Sequence, residues 1–289
     1  MAGAVSSDQV AQAFVQACRA ELSALKPGNV HIHAGGHGME VATFEAAATA
    51  AAPHVGNTAL KVGARIRRAV EASMAAAGCN TNLGILLLCV PLAAAAMQPD
   101  GSSLHARLRH VLASLDEDDA HDVYGAIRAA NPGGLGASPQ ADVHVPPTIA
   151  LIEAMALAAP RDRIAANYVS GFADIFEDHL PLLMHIKRRA DETGASSSDN
   201  AVSALYMSLL ARYRDSHIGR KFGAETAAYV QHLAQAVDPH WAPLVRPSSH
   251  AALMALDARL KTEGWNPGTT ADFVVATLFA AKINTPFNH

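Results

Sequence analysis

The carboxylates Glu21, Glu40, Glu71, Asp142, Asp215 and Asp272 all lie in, or within a turn of, polar segments of an otherwise apolar chain. Lys26, Arg65, Arg68, Arg220 and Lys221 accompany them. Carboxylates beside a phosphate-binding surface usually hold a divalent cation, and Mg²⁺ takes one or two of them together with substrate phosphate oxygens. Lysine and arginine then neutralise the phosphates through charge-assisted hydrogen bonds. These residue types suit a nucleoside triphosphate accompanied by Mg²⁺.

The groups come from the segments 26–40, 78–84, 131–147 and 264–272, and from "RDSHIGRK" at 214–221, which is expected to end a helix. A helix start is a natural anion site, because its first N–H groups lack partners and its dipole favours negative charge. "GCNTNLG" and "NPGTTAD" are placed to open helices in that way. Plainer uses compete with each of these. His31, His33 and His37 at i, i+2 and i+6 match no zinc spacing, so hydrogen bonding within the loop or substrate contact is expected of them. Arg65, Arg67 and Arg68 suit a solvated helix face, and Glu71 can pair with Arg67 or Arg68 at helical spacing. "NTN" at 80–82 can be a capping turn, Asp215 with Arg220 a surface ion pair, and His217 a surface histidine.

The elements that must hold these segments are helices. Half of the 289 residues are hydrophobic, only 5% are aromatic, and alanine, the best helix former, supplies much of the apolar count. Little alternation of β-branched and aromatic residues is available for strands. A helix from a cap at Ser7 to about Leu25 ends at Pro27-Gly28; Thr43 and Thr58 open the next two, and "ILLLCVPLAAAAM" forms a buried helix. Further helices are expected at about 103–114, 119–130, 148–159, 161–170, 172–190, 200–214, 223–236, 249–263 and 270–282. "TGASSSDN" at 193–200 reads as a surface turn. The expected architecture is all-α, one multi-helix domain over 1–289 whose loops at helix ends form a polar cleft.

The net charge of −4 gives no basic field for nucleic acid. The apolar run at 85–97 is shorter than the ~20 residues a membrane helix needs, and no signal peptide opens the chain. Cys18, Cys79 and Cys89 lack metal spacing and suit reduced thiols in a cytoplasmic protein.

Three blocks carry a resemblance. Glu21, "KPG" at 26–28, "GHGME" at 36–40 and Phe44 form the first; Glu71, Met74 and "GCNTNLGILLLCVPLAAA" form the second; "NPGTTADFVVATLF" at 266–279 forms the third. In order and separation they resemble the triphosphoribosyl-dephospho-CoA synthase family across nearly the whole chain. "KPGNV" and "NTNLGILLL" look like a divergent branch found in archaea and in bacteria using methanopterin-type C1 carriers.

The resemblance implies an all-α fold and a reaction in which the 2′-hydroxyl of dephospho-CoA displaces adenine at the ribose C1 of ATP. That chemistry needs anchored phosphates, a carboxylate to take the hydroxyl proton, and tolerance of oxocarbenium-like charge. Glu40, Glu71 and Asp215 are the candidates for metal coordination or the general base. Lys26, Arg220 and Lys221 would hold phosphates, and His37 and Asn80 would orient ribose or triphosphate oxygens. Gly28, Asn29, Thr81, Asn82 and Gly84 complete the nucleotide-binding set in the first two blocks, with Gly268 and Asp272 in the third. The family's His-Lys of "NTHKG" is Asn82-Leu83 here, and its "HxDM" is "HGME". These departures leave open a related nucleotide-using enzyme of pterin or furan C1-cofactor biosynthesis, and a nucleotide-binding protein without catalysis. The partners implied are a nucleotide triphosphate and a small acceptor, with no nucleic acid and no membrane; a homodimer is allowed.

Overall fold

A computed structural model describes residues 5–36, 38–99, 101–132, 143, 145–193, 198–237 and 247–284. Among the described residues the architecture is all-α, without a strand. The first helices are α1 (Ser7–Ser23), α2 (Val41–Val55), α3 (Val62–Ala77), α4 (Leu83–Ala96), α5 (Leu104–Ala113) and α6 (Glu117–Ala130). Then come α7 (Leu151–Ala158), α8 (Arg163–Val169), a π-helical turn (Asp174–His179), α9 (Leu180–Thr193) and α10 (Ser198–Arg212). The last are α11 (Ser216–Phe222), α12 (Ala224–Ala236), α13 (Pro247–Thr262) and α14 (Gly268–Asn284). Most of the expected helices are present, with ends shifted by a few residues. Most of the 131–147 segment, including Asp142 and His144, lies outside the described residues.

Several starts differ from expectation for local reasons. The cap of α1 is Ser6, whose hydroxyl accepts from Gln9 N at 3.2 Å while Gln9 Oε1 accepts from Ser6 N at 2.9 Å. That reciprocal pair satisfies two donors at once, which Ser7 alone would not. Helix α3 starts at Val62 rather than at Thr58, with Lys61 at its N-cap position. The segment 214–221 begins a helix of its own instead of ending one, because Asp215 caps it: Asp215 Oδ1 accepts from Ile218 N at 3.0 Å.

The chain divides into two compact units. Unit 1 comprises residues 1–17, 42–174 and 278–289; unit 2 comprises 18–41 and 175–277. In unit 1 the centre is α4, where Leu86, Leu88, Cys89, Val90 and Leu92 have no exposed surface. A helix apolar on every side is stable only when surrounded, and each such leucine contributes about 1.5–3 kcal/mol by leaving water. Helices α3 and α5 pack on it. Pro91 lacks the N–H that would bond the carbonyl of Leu87, and the hydroxyl of Tyr168 donates there instead at 2.6 Å. Helices α3 and α6 approach closely at Gly63, where a Cβ would lie 2.5 Å from the carbonyl oxygen of Asp119. In unit 2 the fully buried Leu205, Tyr206, Met207, Leu209 and Leu210 of α10 form the core with Phe273 of α14. No helix among the described residues is long and apolar enough to cross a membrane.

Candidate functional site

In unit 2 the loop after α1 is tied down residue by residue from Lys26 to Ala34. Lys26 has no exposed surface, and its ammonium donates to Glu21 Oε1, to Asn29 Oδ1 at 3.0 Å and to the Val30 carbonyl at 2.8 Å. An ammonium has three donors, and all three are taken. Burial lowers the pKa of Lys26 and raises that of Glu21, and their mutual attraction opposes both shifts. The Pro27 carbonyl accepts from Tyr206 at 2.8 Å, and Asn29 donates to Asn266 at 2.8 Å.

Gly28 N donates to Asp257 Oδ1 at 2.8 Å. Gly28 has φ +82°, and a Cβ there would meet Leu260 and Pro267 at 2.9 Å, so only glycine fits both the dihedral and the space. Asp257 is buried and also holds Lys261 at 2.9 Å, whose ammonium donates on to the Ala34 carbonyl at 3.0 Å. His31, fully buried, sets Nε2 3.4 Å from Asp257 Oδ1. Burial pushes the His31 pKa down. At Asp257 burial pushes up, but the hydrogen bonds from His31, Lys261 and Gly28 outweigh it and hold the carboxylate below its usual range.

Beyond Ala34 the loop opens. Gly35, Gly38 and Glu40 are exposed, and Glu40 stands directly before α2. His37 lies outside the described residues.

Asp215 is buried and works at two helix starts. Besides capping α11, its Oδ2 accepts from the amide of Thr270 at 2.7 Å and from the Thr270 hydroxyl at 2.8 Å, in the first turn of α14. The anion expected at "NPGTTAD" is thus the chain's own aspartate. Gly268 N is likewise used, by the Asn266 carbonyl at 2.8 Å. The charges of Asp215, Glu21 and Asp257 all act on the Tyr206 hydroxyl and, after burial, raise its pKa well above the ordinary value. Asp272 is half-buried, and its charge reaches both Lys26 and the Cys18 thiol. Arg220 and Lys221 sit in the last turn of α11, with Lys221 Nζ 5.2 Å from the centre of the Phe222 ring.

In unit 1 the 78–84 segment forms a capping turn. Asn80 Oδ1 accepts from Leu83 N at 3.2 Å. Asn82 turns inward and donates to Ser73 at 2.7 Å, and Ser73 donates to the Ala47 carbonyl at 3.0 Å. The hydroxyl of Thr81 is buried without a hydrogen-bond partner. Leu83 is buried and Gly84 belongs to the first turn of α4. Glu71 accepts from Arg67 at 3.0 Å and lies 3.6 Å from Arg68, the intrahelical pairing its spacing allows. Arg65 departs from that solvated face: it is only 7% exposed.

Sequence reasoning missed Asp257, Lys261, Asn266, Tyr206 and Thr270. The Asp257–Lys261 spacing is a visible i, i+4 pair, but nothing in it points to Gly28, 229 residues upstream. No three histidine, cysteine, aspartate or glutamate side chains among the described residues gather as a metal site.

The comparisons fit this frame. The fold is similar to the crystal structure of a protein from Archaeoglobus fulgidus assigned as a triphosphoribosyl-dephospho-CoA synthase, with TM-score 0.64 and 25% identity, covering 83% of this chain and 99% of that one. No curated protein sequence matches the chain. Residues 7–289 match the transferase family CitG, ATP:dephospho-CoA triphosphoribosyl transferase. That match takes in all three sequence blocks, and the chain belongs to this family.

Proposed function

We propose that the protein transfers the triphosphoribosyl group of ATP to the ribose 2′-hydroxyl of dephospho-CoA and releases adenine. The family match over residues 7–289 carries this reading. The reaction forms a C1–O bond and breaks the C1–N bond to adenine. The attacking hydroxyl loses its proton, and adenine departs with one. Glu40 is our choice for the base. It is exposed, and no hydrogen bond or ion pair to a described residue holds its carboxylate, whereas Glu21, Asp215 and Asp257 are all spent on the chain's own donors. Arg220 and Lys221, in the same unit as Glu40, are the groups we assign to phosphate oxygens. Lys26 acts from behind, by holding the loop.

Mg²⁺ would arrive on the triphosphate and take one or two carboxylates. Asp215 fits poorly, since both its oxygens accept helix N–H groups. Glu40 fits as a ligand only in place of its role as base, and Glu71, as a separate alternative, only by giving up Arg67.

One observation favours another acceptor. Asn82 faces Ser73 and Leu83 is buried, so neither position offers a cation. A less anionic acceptor, as in pterin or furan C1-cofactor assembly, is the second reading. Chromatography of free adenine, with ATP and Mg²⁺ and with or without dephospho-CoA, tests both. Adenine that depends on dephospho-CoA supports the first reading. ATP binding without adenine release under those conditions supports the second. Glu40→Gln should lower kcat by roughly 10²–10⁴-fold, the usual contribution of a general base, with an unchanged unfolding midpoint.

A further inference from the structure

Arg65 stands apart from every other buried charge among the described residues of its unit. Asp119, buried too, accepts from Gly63 N at 2.7 Å and from Asp116 N at 3.2 Å. Arg65 Nε donates to the Leu60 carbonyl at 2.9 Å, but Nη1 is buried with no hydrogen-bond partner, and no carboxylate of a described residue pairs with the guanidinium. Burial with no opposing charge depresses its pKa. The neighbouring cations are provided for: Lys61 holds Asp116 and Asp118, and Arg67 holds Glu71 and Asp122. Buried charges in proteins are ordinarily paired, and an arginine fork is shaped for an oxyanion. The first turn of α3 is already matched by the Asp119 carboxylate at Gly63 N, so Arg65 alone carries the unmatched charge there.

We propose that Arg65 is the cationic anchor of an oxyanion subsite, taking a phosphoryl oxygen of a polyphosphate. Nη1 donates to that oxygen while Nε stays on Leu60. The identity of the phosphate as substrate rests on the transferase reading; the binding of an oxyanion does not.

The test is calorimetric titration of the full-length protein with inorganic tripolyphosphate and with ATP, alongside thermal unfolding in phosphate-free buffer. Arg65→Met should bind both probes more weakly, on the order of tenfold or more, since a charge-assisted contact is lost. In phosphate-free buffer the same variant should unfold at the wild-type temperature or above it, because it no longer buries an unmatched charge. Arg65→Lys, which keeps charge without the fork, should bind with intermediate affinity. Wild-type affinity for tripolyphosphate in Arg65→Met would falsify the subsite. So would a clear drop in its unfolding temperature without phosphate, the mark of a structural arginine. A wild-type protein that binds no tripolyphosphate overturns it as well. Failure of adenine release alone would count against the transferase reading and leave the subsite standing.

Discussion

The 26–34 loop of unit 2 and the start of α3 in unit 1 both bury charge, and they treat it in opposite ways. In the loop every buried ion has a partner supplied by the chain: Lys26 has three acceptors, and Asp257 receives Gly28 N and Lys261 and faces His31. At α3 the guanidinium of Arg65 keeps a buried, unmatched nitrogen. A matched buried charge fixes a backbone; the unmatched one is what the proposed oxyanion subsite rests on. The lysine of the most recognisable block, which looks from sequence like a phosphate ligand, is therefore part of the scaffold.

The largest effect that would break this contrast concerns Lys26. Lys26→Met strands the Glu21 carboxylate in the interior, and removing one partner of a buried pair costs about 3–5 kcal/mol. Denaturant unfolding should show that loss, and adding Glu21→Leu should recover a good part of it. A Lys26→Met protein of native stability that had lost ATP affinity would return Lys26 to the phosphate site.

Asp215 comes next. Asp215→Ala removes the cap of α11 and the bonds to Thr270 in α14, and two lost caps amount to about 1–4 kcal/mol. If Asp215 served only as base or metal ligand, Asp215→Asn would abolish turnover at unchanged stability; a fall in stability with measurable turnover is expected instead.

Tyr206→Phe removes one hydrogen bond to the Pro27 carbonyl and should cost about 0.5–1.5 kcal/mol, with KM raised more than kcat falls.

The smallest expected effect is one of pH. The folded pKa of His31 is depressed, so its contribution is present above the unfolded value of about 6.5 and is lost as pH falls through the folded one. Between about pH 7.5 and 5.5, wild type should lose more unfolding free energy than His31→Gln. Equal slopes would mean that His31 does not titrate on unfolding.

Much of this was legible in the sequence. Alanine-rich periodicity gave nearly every long helix, and the apolar run at 85–97 gave the buried α4. The loop residues Lys26, Gly28 and Asn29 were picked out by type, though their partners were not. Short α11 was not legible, because seven residues with an internal glycine make a poor helix without the Asp215 cap. Arg65, Arg67 and Arg68 read as one basic face, and nothing local separates the residue that is buried from the two that are paired with Glu71.

By itself, then, the sequence determined the helical class, the family and the set of polar segments, because propensity, periodicity and motif spacing are properties of neighbours along the chain. Tertiary structure alone decided which polar groups are spent and which are left available. Asp257 meets Gly28 across 229 residues, Asp215 reaches into the first turn of α14 across 55, and Glu40 and the Nη1 of Arg65 are left without a partner from the described chain. Those outcomes depend on burial and on contacts between distant elements, which no local pattern encodes.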